Sequence, residues 1–125
     1  MITFLDGFPD NVLAFSASGR VTGEDYSQIL IPALEDKLSR HSRIRLLYEL
    51  GPEFTRFTVT AFWDDAKLGM HHLHDFERVA VVTDIGWVRH MVKGLRPLAD
   101  CELRLFSFDE RDQAYAWIRS AADKS

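Results

Sequence analysis

Phe62-Trp63-Asp64-Asp65-Ala66-Lys67-Leu68-Gly69-Met70-His71-His72 leads into Phe76-Glu77-Arg78-Val79-Ala80-Val81-Val82-Thr83-Asp84, and no other part of the chain constrains its architecture as tightly. Phe62, Trp63, Ala66, Met70 and Leu73 share one broad helical face, while Asp64, Asp65, Lys67 and His72 occupy much of the other. That spacing predicts an amphipathic helix beginning near Thr58 or Thr60 and ending near His74. Val79-Ala80-Val81-Val82 is a short apolar run rich in β-branched residues, the pattern of a central parallel strand. Asp84 is placed to cap a helix carrying Trp87, Val88, Met91, Val92 and Leu95, with Gly94 and Pro97 marking its end. A strand over 103–108 follows, then Asp109 as an N-cap. A last helix has Ala114, Trp117, Ile118 and Ala121 as its apolar stripe.

Upstream, strand signals at 2–5 and 12–17 flank Gly7-Phe8-Pro9-Asp10-Asn11, which is turn chemistry and predicts an antiparallel hairpin. Thr22-Gly23-Glu24-Asp25 reads as a helix start. The helix it opens carries Tyr26, Ile29, Leu30, Ala33, Leu34 and Leu38, and Pro32 either kinks it or begins its main segment. A strand over 44–50 comes next, stopped by Gly51-Pro52. The order is β-β-α-β-α-β-α-β-α. Strands alternating with helices imply right-handed parallel crossovers. The expectation is an α/β fold: one domain over 1–125, with a single mixed sheet of about five strands, parallel except at the N-terminus, and about four main helices.

This pattern, with the residues quoted from Phe62 to Trp117, resembles the bacterial SpoIIAA-like family. Its members are small single-domain proteins that share the STAS fold and look distantly similar to the CRAL-TRIO lipid carriers. The resemblance spans nearly the whole chain. It implies two kinds of work: binding of an apolar ligand, as in the carriers, or regulatory protein contacts, as in the anti-sigma-factor antagonists. Those antagonists carry a phosphorylatable Ser or Thr after the middle strand, usually following an Asp. The matching segment here is Tyr48-Glu49-Leu50-Gly51-Pro52-Glu53-Phe54-Thr55, without Asp-Ser. Thr55 and Thr58 are the remaining hydroxyl candidates, and phosphate there meets like-charge repulsion from Glu49 and Glu53.

Composition narrows the function classes. Of 125 residues 46% are hydrophobic, enough for a core, and the net charge of −4 argues against a nucleic-acid partner. Arg40, Arg43, Arg45 and His41 cluster where a helix hands over to a strand, which reads as a solvated rim. The single Cys101 excludes an intrachain disulfide and reads as a half-buried strand residue. The N-terminus lacks signal-peptide character and no apolar run approaches the ~20 residues of a membrane span, so the expected location is the cytoplasm.

Catalytic motifs are not evident. No serine sits in Gly-x-Ser-x-Gly, no phosphate-binding glycine loop is present, and Asp64 and Asp65 diverge around their helix. His71 and His74 share a helical face but lack a third ligand, so no metal or other cofactor is expected. The reading is therefore non-catalytic. Open parallel sheets bind ligands at the carboxyl ends of their strands. Tyr48, Glu49, Phe54, Phe57, Trp63, Asp84, Trp87 and Met91 are the expected lining of a site for an apolar small molecule or lipid. Phe54, Phe57, Phe62, Trp63, Leu68 and Met70 cover more directions than a core-facing stripe of about 100° needs. The surplus predicts a homodimer involving 52–70, or a flap of the same chain over the strand ends.

Overall fold

The computed structural model describes residues 1–57, 75–98 and 101–120, the side chains at 56, 57, 95 and 98 excepted. The helix expected over 58–74 lies outside the described residues. Five strands, β1 (Ile2–Phe4), β2 (Val12–Val21), β3 (Ile44–Phe57), β4 (Phe76–Thr83) and β5 (Glu102–Phe106), form one sheet in sequence order. β1 pairs antiparallel with β2; the other pairings are parallel. The three described α-helices are α1 (Ile31–Leu38), α2 (Gly86–Leu95) and α3 (Arg111–Arg119). The α/β class and the mixed five-stranded sheet are those expected.

Because each parallel strand adds beside the last in one direction, right-handed crossovers put the connecting helices on one face. Tyr26, Leu30 and Leu34 from the first helical segment and Val88 and Val92 from α2 accordingly meet Leu13, Phe15, Tyr48, Leu50 and Val81 on this front face. The back face, with Val12, Ala14, Leu47, Ala80 and Val82, takes Ala114 and Ile118 of α3. Adjacent residues of a strand thus serve different cores, which is why both faces of β2 and β4 are apolar.

Local chemistry sets the helix starts. Thr22 Oγ1 accepts from the Asp25 N–H (3.2 Å) and Asp25 Oδ2 from the Thr22 N–H (2.8 Å), a reciprocal cap. A π-helical segment, Asp25–Leu30, runs without a break into α1, and Pro32 is the second residue of α1, where the wider turn gives way to the α-helix. Two expected caps differ. The cap is Ser107, not Asp109, and it sits on the 3-10 turn Phe108–Glu110 that leads into α3: Glu110 reaches back to the Ser107 N–H (2.8 Å) and hydroxyl (3.0 Å). Asp84 does not cap α2; Thr83 Oγ1 accepts from the Ile85 N–H (3.1 Å), and Asp84 Oδ1 accepts from the Phe108 N–H (3.1 Å).

Gly51-Pro52 does not end β3. β4 ends at Thr83, opposite Leu50, so beyond that point β3 pairs, among the described residues, with β2 alone. The register there jumps from Ala17↔Leu50 to Gly19↔Phe54, leaving 51–53 as an irregular excursion. A proline is tolerated where no ladder hydrogen bond is required of it. Gly19 adopts φ +58° in this stretch and Gly7 φ +90° in the hairpin turn, both in the left-handed region that favours glycine.

The basic cluster is not a uniform rim. Arg40 clasps Asp10 through Nε (2.9 Å) and Nη2 (3.0 Å), with His41 Nε2 2.7 Å from the same carboxylate. This ties the hairpin turn to the end of α1. Arg45 instead is buried under α3.

Candidate functional site at the strand carboxyl ends

The carboxyl ends of β4 and β5 are fixed to one another by polar contacts. Arg89 of α2 donates to the Thr83 carbonyl (2.8 Å) and the Phe106 carbonyl (3.3 Å), bridging two strand ends, while Thr83 is fully buried beneath it. On the front face Tyr48 packs its ring 4.4 Å from Phe15, and its hydroxyl lies 3.0 Å from that of Tyr26. Above this pair, on the β3 extension, Phe54 is buried; the Trp87 ring on the first turn of α2 lies 6.4 Å from it, tilted at 42°. Trp87 is 49% exposed. Met91, half-buried, follows one turn later on the same side of α2.

The expected site residues do not all converge. Tyr48 and Phe54 belong to the front-face core and Trp87 packs on Phe54, while Met91 lies one turn beyond Trp87 on α2. Glu49 turns to the back face, where its carboxylate accepts a hydrogen bond from the Tyr115 hydroxyl. Burial first, then the bond to Glu49 and its charge, push the Tyr115 phenol up to about 12. Asp84 is exposed and spans to the start of the last helical segment. Phe57 ends β3, opposite Val21. Trp63 and Thr58 lie outside the described residues, as do His71 and His74. Thr55 is an exposed residue of β3, in strand and not loop.

Several structurally decisive polar residues escaped the sequence reading. Tyr26 supplies the hydroxyl partner of Tyr48, Arg89 the clamp, and Tyr115 the partner of Glu49. Arg45 and Arg78 reach the carboxyl end of α3: Arg45 Nη1 donates to the Ile118 carbonyl (2.9 Å) and Arg78 Nη1 to the Trp117 carbonyl (2.9 Å). Both guanidinium groups satisfy carbonyls that a helix terminus leaves open. The detectable signal was an arginine at an inward position of each central strand. Among the described residues no group of three or more His, Cys, Asp or Glu side chains could hold a metal ion. None of the described helices is long and apolar enough to cross a membrane.

A mixed five-stranded sheet with, among the described residues, crossover helices on one face and the terminal helix on the other defines an α/β domain of the STAS type. The SpoIIAA-like family model matches residues 12–119, and the chain belongs to that family. Among solved structures, it is similar to an uncharacterized protein of the DUF3478 family with a SpoIIAA-like fold from Shewanella loihica PV-4. The two are 28% identical, with a TM-score of 0.74, over 94% of this chain and 93% of that one. A comparison with curated proteins finds no match.

Proposed function

We propose that this chain is a non-catalytic STAS-like domain, working in the cytoplasm, that binds an apolar small molecule or lipid at the front-face carboxyl rim of its sheet. One observation carries the reading: Trp87, a large aromatic left 49% exposed, packs against Phe54 at the strand ends. Ligand sites of open α/β sheets lie at this edge, and apolar ligands are held by aromatic walls on rigid elements. The Arg89 clamp supplies the rigidity, since it joins the ends of β4 and β5 to α2. Native mass spectrometry of protein purified from its host, with lipid extraction, tests the proposal. A bound apolar species whose retention falls at least about tenfold in Trp87→Ala is expected. Persistently ligand-free protein with no affinity for fatty acids overturns it.

A second reading, a regulatory interaction module, rests on Thr55, whose exposure on β3 leaves its hydroxyl open to a kinase. Phosphoproteomics of the host that finds Thr55 and Thr58 unmodified, with pull-downs lacking any regulatory protein, removes that reading.

A further inference from the structure

β5 is the outer strand of the sheet, and among the described residues it pairs on one side only, with β4. Its pairing with β4 shows no register shift, and its sequence Glu-Leu-Arg-Leu-Phe contains no proline. Bulges and prolines blunt an edge outright, whereas charged side chains deter only partners that do not match them; β5 lacks the first two, so its outer edge is a regular template for a strand of complementary charge.

The side chains add a symmetry. Glu102 and Arg104 flank Leu103, both on the back face and both about half exposed (52% and 55%); within the chain they stand 3.8 Å apart, with Arg78 Nε 4.0 Å from Glu102, so at such an exposed site each is only loosely held and can face a second copy. The Arg104 guanidinium is held 4.6 Å above the Trp117 ring, so it is already placed. On the front face Leu103 and Leu105 pack against the main core but remain only partly buried, Leu105 beside the buried Val81 of β4.

We propose that β5 pairs antiparallel with the β5 of a second copy of this chain, the two-fold axis passing through Leu103, so that the two sheets become one. In that register Glu102 stands directly opposite the partner's Arg104, and Arg104 opposite the partner's Glu102. Opposite charges facing across an antiparallel pair are stabilising, and like charges are not. A register centred on Glu102 or on Arg104 sets two like charges face to face, so the charges select the Leu103 axis. The same step brings Leu103 against the partner's Leu103 and covers apolar surface that β5 alone leaves part-exposed. A second copy is the favoured occupant because the pattern is self-complementary, which is what a closed two-fold contact requires of a single patch. This contact is distinct from one through 52–70 and independent of the ligand site.

Sedimentation equilibrium on the full chain tests it with wild type, Glu102→Arg, Arg104→Glu and the double exchange Glu102→Arg/Arg104→Glu. Both positions are about half exposed, so the fold is expected to persist in all three variants, which circular dichroism checks. Wild type is expected to be a dimer at micromolar concentration. Each single reversal sets like charges opposite one another twice and weakens the dimer by about tenfold or more. The double exchange restores opposite pairs and returns the dissociation constant to within about threefold of wild type, a recovery that general surface damage does not produce. A monomeric wild type overturns the proposal. So does a dimer indifferent to the single reversals, including one that Phe57→Asp alone abolishes.

Discussion

The guanidinium groups of Arg45 and Arg78 lie inside the protein, 6% and 3% exposed, where an unpaired charge is costly. They are tolerated because the carboxyl end of α3 presents carbonyls with partial negative charge: Trp117 and Ser120 for Arg78, Ile118 and Ser120 for Arg45. Arg45 also meets Glu77 Oε1 at 2.9 Å. Arg45→Met keeps the apolar stem but strands these acceptors, and it should lower stability by about 3 kcal/mol in urea unfolding, the scale for breaking a buried charged contact. A change below about 0.5 kcal/mol would show that α3 does not depend on it. Tyr115 offers a test in pH. Its phenol ordinarily titrates at 10.0 and is pushed up to about 12 in the fold, so the folded state favours the protonated form. The stabilising contribution is complete below the ordinary value and is lost as pH rises through the folded one. Unfolding free energy should therefore decline between pH 10 and 12, and Tyr115→Phe should flatten that part of the curve. An unchanged slope in the variant would assign the alkaline loss to other groups.

At the scale of elements, α3 depends on its start as much as on its end. Ser107 and Glu110 satisfy each other's open groups, and the Ser107 contacts hold the Glu110 carboxyl below its ordinary range. Ser107→Ala should cost about 1 kcal/mol in thermal or urea unfolding, and Asp109→Ala far less, reversing the ranking that acidic residues at a helix start suggest. Such capping was only half legible in the sequence: Asp84, Ser107 and Asp109 are all competent caps, and backbone geometry chooses among them. The existence of the strands, their mostly parallel pairing and the apolar stripes were legible because periodicity reports burial directly, as in Val79–Val82 and in Leu30 with Leu34. The reach of β3 was not. Gly51-Pro52 reads as a stop, and only the end of β4 at Thr83 reveals that no partner on that side asks Pro52 for an N–H. Gly51 is instead the place where the Phe108 ring approaches, 2.9 Å from where a Cβ would stand. The expected lining was drawn as one set, and strand geometry divides it. Tyr48 and Glu49 are neighbours in a strand, so the two-residue period sends them to opposite faces, and only Tyr48 joins Phe54 and Trp87.

For the molecule as a whole, the ligand proposal and the self-pairing proposal make separable claims on measured stability. A ligand that binds only the folded state adds RT ln(1 + [L]/Kd), about 2.7 kcal/mol when present at a hundred times its dissociation constant. For a chain of this length that corresponds to an upward shift in Tm of roughly 10 °C. The shift should follow the concentration of an added fatty acid and be lost in Trp87→Ala, because Trp87 stands at the rim with Phe54 behind it. A dimer couples unfolding to dissociation, so its contribution follows protein concentration instead, and Glu102→Arg should remove it while leaving the ligand-dependent shift in place. Calorimetric scans over a range of protein concentrations, with and without fatty acid, therefore resolve four outcomes with two variants. The expected result is independence: Trp87→Ala abolishes the ligand shift alone, and Glu102→Arg the concentration dependence alone. The two sites lie on different elements, the α2 start with the β3 extension and the β5 edge, and additivity is the rule for substitutions without shared partners. If Trp87→Ala also removed the dependence on protein concentration, the exposed tryptophan would belong to the contact between copies, and the ligand site at the strand ends would lose its principal support.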